Sequence, residues 1–221
     1  KSNKIFTYID DAFRNIEKNN PSLKGALPIG FYNTLHIEPS KFSSLIDEID
    51  RLQYSQGEAD DVIGRVYEYF LKKFCIAAKS EKGEFYTPAN IVELMTLLIQ
   101  PYSGSVYDPC CGSGGMFVQS AEFIKRHQGN KKDITIYGQE SNDKTYKLAR
   151  MNLAIRGLNC DLGDMDASTF TSDKHPNLRA DFILANPPFN LKNWRTENEL
   201  KNDRRWDGYE VPPVSNANYA W

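Results

Sequence analysis

The sequence predicts an α/β fold: a parallel sheet covered by helices, with a small helical domain ahead of it. Three observations predict this. Up to about residue 78 apolar residues recur only at helical spacing. Beyond the polar, glycine-ended link Lys79-Ser80-Glu81-Lys82-Gly83, short strand-like runs alternate with helical ones. A glycine-rich turn then stands where one of those strands gives way to a helix, as open parallel sheets place their ligand sites. The division expected is a helical domain over 1–78 and an α/β domain over 79–221.

Ile5, Ile9, Phe13 and Ile16 mark a first helix from Lys4 to Asn20, which Asn-Asn-Pro at 19 to 21 ends. Ser40 is suited to cap a second helix carrying Phe42, Leu45, Ile46, Ile49 and Leu52. Val62, Val66, Tyr69, Phe70 and Phe74 indicate a third, reaching about Ala78. Thr87-Pro88 reads as the start of a fourth, Thr as the cap and Pro in the first turn, with Ile91, Leu94, Met95 and Leu98 as its buried stripe. Strands are expected at Ser105 to Pro109, Ile134 to Gly138, Cys160 to Leu162 and Asp181 to Ala185. Helices running to about His127, and from Ser141 to about Arg156, fill the gaps.

Composition limits the function. Twenty-seven Lys and Arg against 29 Asp and Glu give a formal net charge of -2, which does not suit binding nucleic acid mainly by neutralising phosphates. Of four cysteines, Cys110 and Cys111 are adjacent while Cys75 and Cys160 stand alone, so the Cys-x-x-Cys spacing of zinc and redox sites is missing. The apolar windows fall short of a membrane span, and the expectation is a soluble cytoplasmic protein with reduced thiols and no membrane partner.

The turn reads Asp108-Pro109-Cys110-Cys111-Gly112-Ser113-Gly114-Gly115. Glycines let backbone approach a ligand closely and free amides at a helix start for an anionic group. Glu140 ends the next strand, where an acid can accept hydrogen bonds from both ribose hydroxyls, and Asp164 follows the strand after that, placed to accept from an adenine amino group. A dinucleotide fingerprint wants Gly-x-Gly-x-x-Gly with an acid roughly 20 residues on; Gly-Ser-Gly-Gly with a later acid disfavours a nicotinamide cofactor.

Asn186-Pro187-Pro188-Phe189 after the last strand is the most specific signal. An aromatic amine is a weak nucleophile because its lone pair is shared with the ring. The Asn186 side-chain oxygen and the Pro187 carbonyl could each accept one of its hydrogens and favour a tetrahedral nitrogen. Prolines stiffen the loop and remove competing donors. Phe189 offers a face on which a base withdrawn from a duplex can stack.

These residues resemble known families. Asp-Pro-x-x-Gly-x-Gly is similar to the S-adenosylmethionine site of class I methyltransferases, a Rossmann-like parallel sheet. By that resemblance Asp108, Cys110, Gly112, Ser113, Gly114 and Gly115 hold the methionine part, Glu140 the ribose and Asp164 the adenine. The tetrad resembles the catalytic motif of amino-methyltransferases that act on adenine, cytosine or protein glutamine. Tyr67 to Leu71, the Gly83 to Pro88 stretch, and Asp203-Arg204-Arg205-Trp206 through Asn218-Tyr219-Ala220-Trp221 narrow this to modification subunits of type I restriction-modification systems, N6-adenine DNA methyltransferases. There Phe85, Tyr86 and Thr87 would close over the cofactor, and a DNA-specificity subunit and a restriction (nuclease and translocase) subunit are the implied partners besides DNA. The fold's last strands are expected to be missing, so this would be the domain's N-terminal part. RNA or protein-glutamine methylation, or a non-catalytic assembly role, are the alternatives. Lys192, Arg195, Lys201, Arg204 and Arg205 could touch phosphates or belong to a solvated mobile loop.

Overall fold

The computed structural model describes residues 4–51, 59–77 and 87–221; the expected domain boundary at 78/79, together with Phe85, Tyr86 and the Phe74 side chain, lies outside the described residues. Helices α1 (Ile5–Asn19), α2 (Pro39–Asp50) and α3 (Ala59–Ala77) come first. Then follow α4 (Ala89–Ile99), β1 (Gly104–Asp108), α5 (Gly115–Arg126), β2 (Ile134–Gly138), α6 (Asp143–Ile155), β3 (Cys160–Asp161) and β4 (Phe182–Ile183). All four strands are parallel and lie in the order β3-β2-β1-β4.

Alternation along the strands sorts the two faces of the sheet. Val106 and Ile136 are fully buried in the main core with Phe117, Ile124 and Leu153 from α5 and α6. Tyr107 and Tyr137, paired in register, point the other way, where the ring of His175 packs edge-on against both. The chain between β3 and β4 covers that face. Its anchor is Gln139, fully buried at the end of β2, whose amide donates to the carbonyls of Ala167 (3.2 Å) and Ser172 (3.1 Å) and accepts from the Lys174 amide (2.9 Å).

Several local expectations need correction. α2 begins at Pro39 behind Glu38, so Ser40 lies inside its first turn and caps nothing. Pro88 occupies the cap position of α4 and Thr87 precedes it, free for other work. Asn142, whose side chain accepts from the Thr145 amide (3.1 Å), caps α6. In α1 the buried residues are Phe6 and Asp10, the carboxylate of Asp10 accepting from the Gly30 amide (2.8 Å) and the Asn33 side chain (3.0 Å). α4 turns Val92 and Thr96 inward and leaves Ile91, Leu94 and Leu98 exposed. α3 likewise buries Gly64 and Leu71 rather than Val66, Tyr69 and Phe70. It lies on α6, where the Tyr67 hydroxyl donates to the Leu148 carbonyl (2.8 Å). The third helix therefore packs against the α/β unit.

Leu153 is fully buried and lies 3.5 Å from where a side chain at Gly114 would begin, so it supports the glycine turn from below. Leu153→Ala should lower unfolding free energy by about 2–5 kcal/mol, as core truncations do, measured by chemical denaturation.

Candidate active site

From β1 the chain steps outward to β2 and β3, then returns to the far side of β1 as β4. The strand order thus reverses between β1 and β4, and a crevice at the carboxyl ends of two strands with such a reversal is where open α/β sheets bind ligands. The glycine turn leaves β1 there and Asn186 leaves β4 there. Asp181 and Leu184 flank the short β4 ladder, their amides donating to the carbonyls of Ser105 (3.1 Å) and Tyr107 (3.0 Å).

Gly112 and Gly114 take left-handed conformations with φ of 55° and 80°, bending the chain so that α5 starts at Gly115 facing the crevice. A side chain at Gly112 or Gly115 would begin with nothing within 4 Å, so both open onto unfilled space. That space forms a pocket. Asp108, Cys110, Cys111, Gly112, Ser113, Gly115 and Met116 line it from the turn, and Thr87 and Asn186 close the other side.

Asp108 is the buried acid of this pocket, with one oxygen accepting from the Cys110 amide (3.0 Å). Burial pushes its carboxyl up to about 7; the Cys110 amide opposes the shift and the nearby Glu140 charge adds to it. Burial likewise lifts the Cys110 and Cys111 thiols well above their usual range, keeping them neutral and unsuited to nucleophilic chemistry.

Glu140 grips the turn from the side, accepting from the Gly112 amide (3.0 Å) and, with its other oxygen, from the Asn142 amide (2.7 Å). Asp164 stands apart. Its side chain is 79% exposed, pairs with Lys174 at 3.0 Å, and does not line the pocket.

At β4 the Asn186 side-chain nitrogen donates to the Thr87 hydroxyl (3.0 Å), which turns the amide oxygen toward other donors. Pro187 and Pro188 are half-buried and Phe189 is 66% exposed, so it is not a core residue. Beyond it the chain is packed. Phe170, Trp194 and Ala217 form a second core, and Asn218 accepts from the Asn190 amide (2.8 Å). Arg195 donates to the Pro212 carbonyl and lies over the Trp194 ring, while Arg205 engages Asp203 and the Thr169 and Phe170 carbonyls. Arg204 reaches the Pro176 carbonyl and Lys201 the Asn198 side chain. Arg195, Arg204 and Arg205 thus bond to carbonyls far along the chain, while Lys201 makes a local surface contact.

Sequence reasoning missed Gln139, Met116 and Asn152. A visible signal existed for Asn152, a polar residue in the apolar stripe of Tyr146, Ala149 and Leu153.

Residues 58–221 match the model of the N-6 DNA methylase family. The chain belongs to that family. A curated relative, the type I restriction enzyme HindI methylase subunit of Haemophilus influenzae, is 48% identical over 223 residues, covering 96% of this chain and 49% of the relative. The MjaIX methylase subunit of Methanocaldococcus jannaschii is 35% identical, covering 96% of this chain and 39% of its own. Among solved structures, the type I restriction-modification methyltransferase subunit of Streptococcus thermophilus superimposes with a TM-score of 0.78 at 26% identity, over 97% of this chain and 47% of that one. The chain thus spans about half the length of the relatives it matches or less. Its sheet and helices are those of the class I methyltransferase fold behind a helical N-terminal region, as the sequence predicts. Among the described residues no cluster of potential metal ligands occurs, and no helix is long and apolar enough to cross a membrane.

In this N-6 DNA methylase chain a buried acid held at about 7 costs stability once ionised. Its folded value lies above its unfolded value near 3.8, so the associated stability is present at low pH and lost as pH rises through about 7. Asp108→Asn should therefore be more stable than the parent at pH 8 by more than about 1 kcal/mol, with the gap closing toward pH 4, in denaturant titrations.

Proposed function

We propose that the intact protein transfers a methyl group from S-adenosylmethionine to the exocyclic amino nitrogen of adenine in DNA, as the modification subunit of a type I restriction-modification complex. One observation carries this reading: the glycine turn at the end of β1 and Asn186 beyond the end of β4 line the same pocket at the strand reversal. Family membership supports DNA as the substrate class, and the naming of relatives as methylase subunits of type I restriction enzymes supports a multi-subunit setting, in which we assign a specificity subunit and a restriction subunit as partners. Within the chain we assign 1–78 to a helical domain that holds α3 against the methyltransferase domain of 79–221.

The pocket fits the cofactor. A buried Asp108 facing open space suits a cationic group, and the amides at the start of α5 suit a carboxylate. Asp108, Cys110 and Gly112 to Gly115 would hold the amino-acid end, with Glu140 beside them for the ribose. Asp164 would have to leave Lys174 to reach an adenine ring. Thr87 brings the end of the Phe85-Tyr86-Thr87 segment to the mouth. The cofactor supplies a methyl group activated on a sulfonium.

What the chain supplies is alignment. The Thr87 hydroxyl orients Asn186 so that the amide oxygen accepts one hydrogen of the target amine, and the Pro187 carbonyl accepts the other. With both hydrogens drawn to one side, the nitrogen lone pair points away from the ring plane toward the turn. Phe189 stacks on the base once it has left the duplex. The thioether would leave neutral as the C–N bond forms, and the methylated nitrogen, left cationic, is acidic enough to give one proton to water, so no strong base is required.

Asn186→Ala and Phe189→Ala should each lower methyl transfer by at least about 100-fold while cofactor affinity by calorimetry stays within a few-fold. Thr87→Val, which removes one orienting hydrogen bond, should cost about tenfold in kcat. Cofactor affinity should rise with pH up to about 7 and level off above it, because Asp108 must lose its proton to meet a cation. The reading as a whole is tested by labelled methyl transfer to DNA with and without a specificity subunit. N6-methyladenine is the expected product; label in RNA or in protein glutamine, or no transfer, would replace it.

A further inference from the structure

The last turn of helix α6 and the residue that ends it carry two polar side chains, Asn152 and Arg156, and neither takes part in the chemistry above. Asn152 is fully buried and donates from its side-chain nitrogen to the carbonyl of Ser113, at the centre of the glycine turn (2.7 Å). Its side-chain oxygen accepts from the guanidinium of Arg156. That guanidinium continues outward to α3, donating to the carbonyl of Gly64 (2.8 Å) and to the carboxylate of Glu68 (2.9 Å). Gly64 makes the approach possible, since a side chain there would begin 3.0 Å from the guanidinium. A glycine inside a helix costs about 1 kcal/mol relative to alanine, so this one needs a reason, and the room it leaves for Arg156 is that reason.

We infer that Asn152 and Arg156 are positioning residues for the cofactor turn, and that α3 sets their orientation. The inference rests on the reading of Gly112 to Gly115 as the S-adenosylmethionine site. An asparagine amide can turn over and exchange its oxygen and nitrogen. Arg156 can only donate, so its bond to the Asn152 oxygen forces the nitrogen to face Ser113. Reversed, the amide would set oxygen against oxygen and release the Ser113 carbonyl. The turn has glycines on both sides of Ser113 and little stiffness of its own, so a released carbonyl is free to swing toward the pocket and oppose the carboxylate end of the cofactor. Arg156 is in turn held by Gly64 and Glu68, and a displacement of α3 would reach the turn through this chain of donors.

The test uses the intact protein, S-adenosylmethionine calorimetry, methyl-transfer kinetics and denaturant unfolding. Glu68→Gln and Gly64→Ala, both outside the cofactor pocket, should weaken cofactor binding roughly five- to tenfold and leave kcat at saturating cofactor within twofold. Asn152→Ala should do the same. The double variant Glu68→Gln/Asn152→Ala should bind no more weakly than Asn152→Ala alone, because both act through one chain. Restoring a donor with Arg156→Lys should recover part of the affinity lost in Arg156→Ala. Glu68 is partly exposed, so Glu68→Gln should fold even if other variants do not, and unchanged affinity in it overturns the inference. Fully additive affinity losses overturn it as well, marking a general loosening of the fold. A parent protein that binds no S-adenosylmethionine sinks the cofactor reading and this inference together, whereas a parent that binds with insensitive variants sinks only the inference.

Discussion

Only two residues of β4 are paired with β1, yet that short ladder decides whether Asn186 faces the glycine turn or the other face of the sheet. A slip of one residue would reverse every side chain that follows. The register is locked at its lower end by Asp181, whose carboxylate accepts from both the amide and the hydroxyl of Ser105 (2.7 Å each) while its own amide donates back to the Ser105 hydroxyl (3.0 Å). These bonds hold the Asp181 carboxyl below its usual range. Gly104 lets the carboxylate come so close, since a side chain there would begin 2.6 Å from it. Asn186 follows from this clamp, Thr87 then fixes its amide, and the pocket exists because the two strand ends stay side by side.

The site carries its own electrostatic cost. Two acids, Asp108 and Glu140, converge on one small turn, and among the described residues none that lines the pocket is a cation. A core built for stability alone would not keep a desolvated carboxyl there. Glu140 accepts from two backbone amides, whereas Asp108 accepts from the Cys110 amide and faces the open pocket. Cost at the site and recognition by the site are the same feature.

The strand ends were legible because their residues are short, local and chemically specific. Asp108-Pro109 through Gly115 and Asn186 through Phe189 stand where the sequence places them, and β2 has the expected bounds. Helix faces were less legible. α4 is apolar nearly all round, so its pattern fixes a helix without saying which side is inward; of the expected stripe Met95 packs against the core while Ile91, Leu94 and Leu98 are exposed. Nor does sequence order reveal which cations pair internally. Arg195, Arg204 and Arg205 bond to carbonyls 17 to 36 residues away in sequence, partnerships that exist only once the chain has folded. Asp164 shows the same limit, since its strand-end position alone does not tell that Lys174 will take it.

The account stands on one crevice serving both donor and acceptor of the methyl group, and the most direct measurement is a crystal structure of the intact protein with S-adenosylmethionine. The sulfonium should lie between Asp108 and Asn186, with the methyl group directed at the Asn186 side-chain oxygen and the amino-acid end on the Gly112 to Gly115 turn. Electron density for the cofactor at the opposite rim of the sheet, or with its methyl group turned away from Asn186, would contradict it.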